Sequence, residues 1–388
     1  MPFPAFSPRR LTGAAALACA AALMPVTSLV ATASPAAAAA ATGPPAVPAS
    51  FQPASASFVS PASGYVLGAV GCTLGHVCSA RLVSTTDGGA RWHFANAPDV
   101  VLFNSAGNLL TQASRVSGVM FASRQDGWLY GPGLYATDDG GAHWRRISLG
   151  GNVMASRGGG VVAMAASAGT AYAVVSPDPF NGAPEELYSS PVGTSAWARA
   201  GTMTGGPGAS LAVSGKAAWF GTGTDLWATA DGVHWRKYPF SCPAGLGLGG
   251  IAAASSSQVA FLCARGQGTY HTVKEVLRSV NGGRTEYLTG QAPLAGDVYG
   301  FAVPPYRATV ITIAVVTPGL SYLYRSADGG KTWAEIAVSG TSGGVSLSSL
   351  SYVSPTAGWV VAGQPGFPGP GRLLRTSDAG RTWHAVRF

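Results

Sequence analysis

The 388-residue chain carries little charge, with Asp, Glu, Lys and Arg making up 10% of it. Lysine is the scarcest of these, at 4 residues against 20 arginines. The net charge of +8 is scattered, and neither a Lys/Arg run nor a nucleic-acid motif occurs. That excludes a polynucleotide partner of the usual basic kind and leaves weak attraction to anionic surfaces such as cell-wall polymers. No stretch reaches the roughly 18 uncharged apolar residues of a membrane-spanning helix, and helix-period patterns are missing. The chain has no GxxxxGK[ST] phosphate loop and no GxSxG nucleophile elbow. No His/Cys cluster completes a metal-ligand set, so neither a metal nor a cofactor is expected.

Cysteine is sparse as well, at 5 residues, and one of them, Cys19, lies in a segment unlike the rest. Residues 1–42 place Arg9 and Arg10 before an Ala/Leu run (Leu11 to Leu23) and end in the small-residue stretch ATASPAAAAAATG. This reads as a secretory signal, with residues 43–388 as one exported domain. Arg9-Arg10 leaves a twin-arginine signal open. ALAC at Cys19 leaves a lipoprotein site open, with Ala16 standing where Leu is usual. Removal of the segment leaves 22 basic against 16 acidic residues. The remaining Cys72, Cys78, Cys242 and Cys263 are an even set in an oxidising compartment, where disulfides persist. Proximity in sequence favours Cys72 with Cys78 and Cys242 with Cys263.

What the chain has in plenty is glycine (54) and tryptophan (10), combined in one phrase. YRSADGGKTW (324–333) recurs as YATDDGGAHW (135–144), LVSTTDGGARW (82–92) and LRTSDAGRTW (374–383), and in weaker form at 187–197, 227–235 and 277–287. The corner residue is Asp87, Asp139, Asp231, Asp328 or Asp378, with Pro191 and Asn281 at the other two copies, spaced 40 to 52 residues apart. Upstream of six corners stands a second phrase, a strand, a Ser/Gly turn and a strand opening on an aromatic, as in FASRQDGWLYG (121–131). Four short strands per unit of about fifty residues is the pattern of propeller blades. The chain is therefore expected to be all-β, a seven-bladed β-propeller with four antiparallel strands per blade. The three weaker copies leave six or eight blades open. The first strand is expected near Ser57, with closure by packing of the first blade on the last, assisted by residues 51–56.

The corner explains its own residues. Ser or Thr and Asp accept hydrogen bonds from nearby backbone N–H groups, and Gly takes positive φ without a Cβ clash. The following Trp, expected to open the fourth strand, then covers the corner and packs on its neighbours, burying on the order of 200 Å². The pairs Asp87/Trp92, Asp139/Trp144, Asp231/Trp235, Asp328/Trp333 and Asp378/Trp383 are thus read as structural. His93, His143, His234 and His384 sit in or beside the same corners and read as surface residues.

The phrase SxDxGxTW, matched in full by Ser326, Asp328, Gly330, Thr332 and Trp333, resembles the Asp-box, or bacterial neuraminidase (BNR), repeat. The GW phrase at Trp128 and Trp359 is similar to the repeat of the photosystem II stability and assembly factor group within the WD40/YVTN/BNR-like superfamily. That resemblance implies the propeller fold. It leaves function open among sialidases, xyloglucanases, sortilin-type receptors and assembly factors. A sialidase would need an arginine triad, a Tyr/Glu nucleophile pair and an acid/base Asp. The chain offers Arg115, Arg124, Arg157, Arg265, Arg307, Tyr270, Tyr299, Asp126 and Glu275 as pieces, but lacks the Phe/Tyr-Arg-Ile-Pro segment that supplies the first Arg. A xyloglucanase would need a second propeller to form its cleft.

The expected function is therefore a secreted, monomeric, non-enzymatic ring that binds or assembles a protein or cell-surface glycan. A sialidase-like or other glycan-processing hydrolase is the alternative. Corner turns and first-to-second-strand turns should share one face. The opposite face carries loops of varied length, and on it Phe180, Glu185, Glu186, Tyr270, His271 and Phe367 are the exposed binding candidates.

Overall fold

The computed structural model describes residues 46–73, 76–102, 115–149, 159–177, 184–203, 210–222, 225–243, 245–266, 270–342, 344–367 and 371–388. Residues 1–42, with the signal reading, and Phe180 and Arg157 lie outside them. The described residues form a seven-bladed β-propeller, each blade a four-stranded antiparallel sheet of strands consecutive in sequence. The innermost strands run from Phe51–Phe58 in blade 1 to Leu347–Tyr352 in blade 7, and the outermost from His93–Ala95 to His384–Ala385. A short parallel pair, Val101–Leu102 with Arg115–Val116, lies between blades 1 and 2.

Blade 6 shows how a corner closes. Ser326 Oγ donates to Asp328 Oδ1 at 2.8 Å and accepts from Gly330 N–H at 2.8 Å. Asp328 Oδ1 also accepts the N–H groups of Lys331 and Thr332 at 3.1 and 3.0 Å, and Oδ2 the Thr332 hydroxyl at 2.6 Å. Gly329 and Gly330 sit at φ 81° and 99°, where a side chain is strained. The same hydroxyl-to-carboxylate bond recurs at Asp87, Asp139, Asp231 and Asp378. Blade 5 replaces the carboxylate with Asn281, whose Oδ1 accepts the same set while its amide donates to Thr285 Oγ1. In blades 2 and 4 a histidine ring takes the threonine's place, 2.6 Å from Asp139 and Asp231.

Five of the corners are tied to the first turn of their own blade, which places both on one face, as expected. Gly88, Gly140, Gly282, Gly329 and Ala379 donate to carbonyls of Ala62, Gln125, Ser257, Thr309 and Thr356 at 2.7 to 2.9 Å.

The tryptophans after the corners wedge the seams between blades. Trp197 meets Trp128 of the preceding blade edge-on at 6.2 Å, and Trp235 meets Tyr172 at 5.8 Å. Trp144 donates its indole N–H to Asn96, beyond the last strand of blade 1. Blade 5 has Glu286 in this place, and Trp219 of blade 4 reaches across instead, donating to Gly282 at 2.8 Å. Serines join inner strands that do not pair directly. Ser57 Oγ accepts from Phe121 N–H at 2.8 Å and Ser210 Oγ from Ile251 N–H at 2.7 Å, satisfying edge groups that would otherwise be bare.

The tryptophans correct the expectation in one respect. None opens its fourth strand: Trp92, Trp144, Trp197, Trp235, Trp333 and Trp383 each stand one residue before it. Trp383 is a core side chain, 8% exposed, in the cluster with Ala314, Leu323 and Val338 of blade 6, and it meets Tyr352 edge-on at 6.2 Å. Trp144 and Trp333 donate their indole N–H to Gly141 and Gly330 of their own corners at 3.2 and 3.1 Å, whereas that of Trp383 is buried with no acceptor among the described residues. The physical reason is the apolar seam beside it, where burying the ring outweighs the one hydrogen bond forgone.

Closure is by side chains. Phe58 of blade 1 stacks on Trp359 of blade 7 at 3.8 Å, and Phe388 contacts Phe51 and Trp92 at 4.8 and 4.9 Å. Arg375 donates to Gly88 across the seam at 2.9 Å. The first strand begins at Phe51 rather than near Ser57, because residues 51–56 pair with Val66 to Val70 and face blade 7. Both proximal cysteine pairs form disulfides, Cys72–Cys78 and Cys242–Cys263.

The corner carboxylates set an acid limit. The His143 backbone N–H, then its ring, hold Asp139 at about 2. At Asp378 partial burial pushes upward, but the N–H and hydroxyl of Thr382 outweigh it and leave the group at about 2. Asp87, Asp231 and Asp328 are likewise lowered, the first chiefly by the Arg91 N–H, the second by the His234 ring and the third by the Thr332 hydroxyl. A carboxylate lowered on folding adds stability that is complete above its unfolded value and lost as pH falls through the folded one. We expect the melting temperature to fall steeply from about pH 4, the unfolded carboxylate range, down to about 2. Asp328→Asn with Asp378→Asn, copying Asn281, should flatten that slope. Thermal melts across pH test this, and an Asn double variant as acid-sensitive as the parent contradicts it.

Candidate functional site

Two concavities bear on function. The first is the central opening on the corner face, a cavity of about 680 Å³ lined by the inner strands and first turns. Its lining is apolar and hydroxyl, with Ser57, Met120, Met164, Val213, Ser349 and Tyr306 around it, and no Asp, Glu, Lys, Arg or His among the described residues that line it. None of the described sialidase pieces lines it; Tyr270 and Tyr299 share the second concavity and the rest are dispersed. Arg124, Asp126 and Arg307 sit in first turns of blades 2 and 6. Arg265, Tyr270 and Glu275 belong to the second and third strands of blade 5 and the loop between them, and Arg115 is buried between blades 1 and 2.

The second concavity lies on the opposite face, where the links between blades run. It measures about 540 Å³ and is formed by loops of blades 5, 6 and 7. Tyr270, Tyr299 and Phe367 stand around it with 41%, 50% and 38% of their surfaces exposed. Between them are Thr317, Ser346 and Gln364, with no charged side chain in the described lining. The walls are joined by backbone bonds: Gly363 N–H donates to Ser346 at 2.8 Å, and the Ser321 hydroxyl to Val345 at 2.6 Å. Gly344, at φ 61°, lies where an added Cβ would strike the Thr317 carbonyl, so only glycine lets the blade 6 to 7 link approach.

Tyr270 is held in an unusual pose. It is a non-glycine residue at φ 60°, a conformation that surrounding structure must enforce. The enforcement comes from the blade 5 to 6 link: Gly296 N–H donates to the Tyr270 carbonyl at 2.8 Å, and His271 bridges Ala295. Beneath it Lys274, with 0% of its surface exposed, donates Nζ to the carbonyls of Thr272, Leu294, Ala295 and Gly296 at 2.8 to 3.2 Å. Burial lowers its pKa to about 8, partly offset by Asp297, so the ammonium is charged at neutral pH.

Sequence reading placed Tyr270 and Phe367 on this face, and the fold brings both to one groove. It named Tyr299 only among the sialidase pieces, and it missed Lys274. The other candidates are distributed differently. Glu185, expected exposed, is buried with 4% of its surface accessible, because its side chain opens the third strand of blade 3 facing inward. Glu186 is partly covered and engaged, accepting from Tyr188 at 2.7 Å and Arg199 at 2.9 Å. His271 is exposed beside Tyr270 but does not line the groove.

No protein-family model matches the chain, and no curated protein matches it in sequence. Solved structures do match in fold. YCF48 bound to D1 peptide is similar at 18% identity and TM-score 0.51, over 86% of this chain and 95% of that one. YCF48 from Cyanidioschyzon merolae is similar at 16% identity and TM-score 0.54, over 87% and 98%. The PL25 ulvan lyase, a polysaccharide lyase, is similar at 9% identity and TM-score 0.52, over 82% and 91%. A peptide-bound protein and a lyase thus share this ring, and likeness at such identities establishes the fold alone.

Proposed function

We propose that the chain is an exported Asp-box propeller that works as a binding or assembly ring without catalytic machinery. Its partner, a protein or a glycan, is held on the link face at the groove of Tyr270, Tyr299 and Phe367. The carrying observation is the groove itself: three half-exposed aromatic rings around a cavity of about 540 Å³ whose walls are bonded to one another. Rigid loops bearing aromatic anchors are the usual makings of a recognition site. The hydroxyl and aliphatic lining of the central opening agrees with a holder rather than a hydrolase. Two disulfides agree with an oxidising compartment. YCF48 bound to D1 peptide offers a ring of this fold holding a peptide.

The test is affinity capture from the native secretome, together with a glycan array, using the parent ring and the Tyr299→Ala/Phe367→Ala variant. Each lost anchor should weaken binding about tenfold or more, while the melting temperature stays close to the parent's. An unchanged set of bound partners sinks the groove assignment, and turnover of a fluorogenic sialoside or of xyloglucan sinks the non-catalytic reading.

A further inference from the structure

The seam between blades 4 and 5 differs at two residues from the three seams that follow it. Blades 5, 6 and 7 place an arginine just before the corner Ser or Thr, namely Arg278, Arg325 and Arg375. Arg325 Nε donates to the Ala379 carbonyl at 2.8 Å and Arg375 to that of Gly88 at 2.9 Å, each reaching the next blade's corner. Arg278 lies against Gly329 in the same manner. Blade 4 has Ala228 at this place, and across the seam blade 5 has Glu286 where the wedging tryptophan belongs. A cavity of about 260 Å³ opens there on the corner face.

Its floor is Ala228 and Trp219, the latter fixed by its indole bond to Gly282. Arg236 of blade 4 and Arg284 of blade 5 stand at its walls. Among the described residues no ion pair engages either guanidinium. The one carboxylate in the lining, Asp231, is already taken by the Thr229 hydroxyl, the N–H groups of Val233 and His234, and the His234 ring. Two uncommitted guanidiniums over an apolar floor suit one ligand chemistry, a carboxylate carried on a flat apolar body, because the planar fork pairs with carboxylate oxygens two at a time.

We infer that the blade 4 to 5 seam is a carboxylate-binding pocket, with Arg236 and Arg284 as its anion ligands. It lies on the face opposite the aromatic groove and stands whether or not that groove binds.

Calorimetric titration at low ionic strength tests the pocket with benzoate and its neutral isostere benzamide. Benzoate should bind and benzamide should not. Arg236→Gln and Arg284→Gln should each weaken benzoate about tenfold, the loss of one charge-assisted contact. Ala228→Arg copies the crossing arginine of the next three seams and should abolish binding at an unchanged melting temperature. N-acetylalanine and methyl glucuronoside, run alongside, distinguish a chain terminus from a sugar acid as the source of the carboxylate. Failure of benzoate to bind, equal binding of benzamide, or a benzoate affinity unmoved by both glutamine variants overturns the inference.

Discussion

Trp359→Ala is expected to lower the free energy of unfolding by about 3–5 kcal/mol, the range for a large aromatic removed from a packed core. Trp359 has no exposed surface, stacks on Phe58 at 3.8 Å and lies beneath the Arg375 guanidinium at 5.8 Å. It belongs to the cluster that joins blade 7 to blade 1, with Phe51, Val66, Val83 and Trp92. Because each blade keeps its four strands to itself, no shared strand reinforces this seam, and the loss falls on closure. Urea denaturation followed by tryptophan fluorescence checks it. A loss under about 1 kcal/mol, within the ordinary range for any point change, would show that closure does not depend on this packing.

Lys274→Met should have a comparable effect, since each buried carbonyl left without its donor costs roughly 1–3 kcal/mol. Methionine fills the volume but donates nothing: the buried bonds to the Thr272 and Gly296 carbonyls and the partly covered ones to Leu294 and Ala295 are lost, and Leu294 keeps the Thr272 N–H as donor. The pH dependence separates this from a packing defect. Folding lowers the amine's pKa to about 8, against about 10.4 in the unfolded chain. Between those values the unfolded state holds more protons, so stability gains with rising pH. The parent protein should gain relative to Lys274→Met over that window, as read by paired denaturation curves. Parallel pH profiles would mean that the ammonium plays no part. The same variant should loosen Tyr270, whose strained backbone depends on the link that Lys274 holds.

The corners were legible in the sequence because their chemistry is local. Ser326, Asp328 and Gly330 make their bonds within five residues of one another, so spacing alone revealed the turn, its face and its recurrence. Asn281 was readable as a substitute for the same reason. The place of each indole was less so, since Trp383 is drawn into a seam whose other wall, blade 6, lies far back along the chain. Blade 6 lacked the strand-turn-strand phrase because Pro304, Pro305 and Tyr306 occupy a longer first turn, yet its corner sufficed to mark it. The groove was only half legible. Tyr270 and Phe367 stood out as aromatics in irregular loops, whereas Tyr299, which lies within a strand, was offered only as a sialidase piece and not for this face. Lys274 gave no signal, since its partners are backbone carbonyls from a link some twenty residues on. Glu185 misled because a carboxylate at a loop boundary ordinarily points to water, and here it is the first residue of a strand and is turned inward.

The seam between the last blade and the first gives the disc an unusual kind of symmetry. Topologically it is an open row of seven four-stranded sheets bent until its outermost members touch, and the join uses an aromatic wedge and the crossing arginine also found at the two seams before it. Such a row has no privileged starting point: which blade comes first along the polypeptide is an accident of where the gene opens, and the circle itself does not record it.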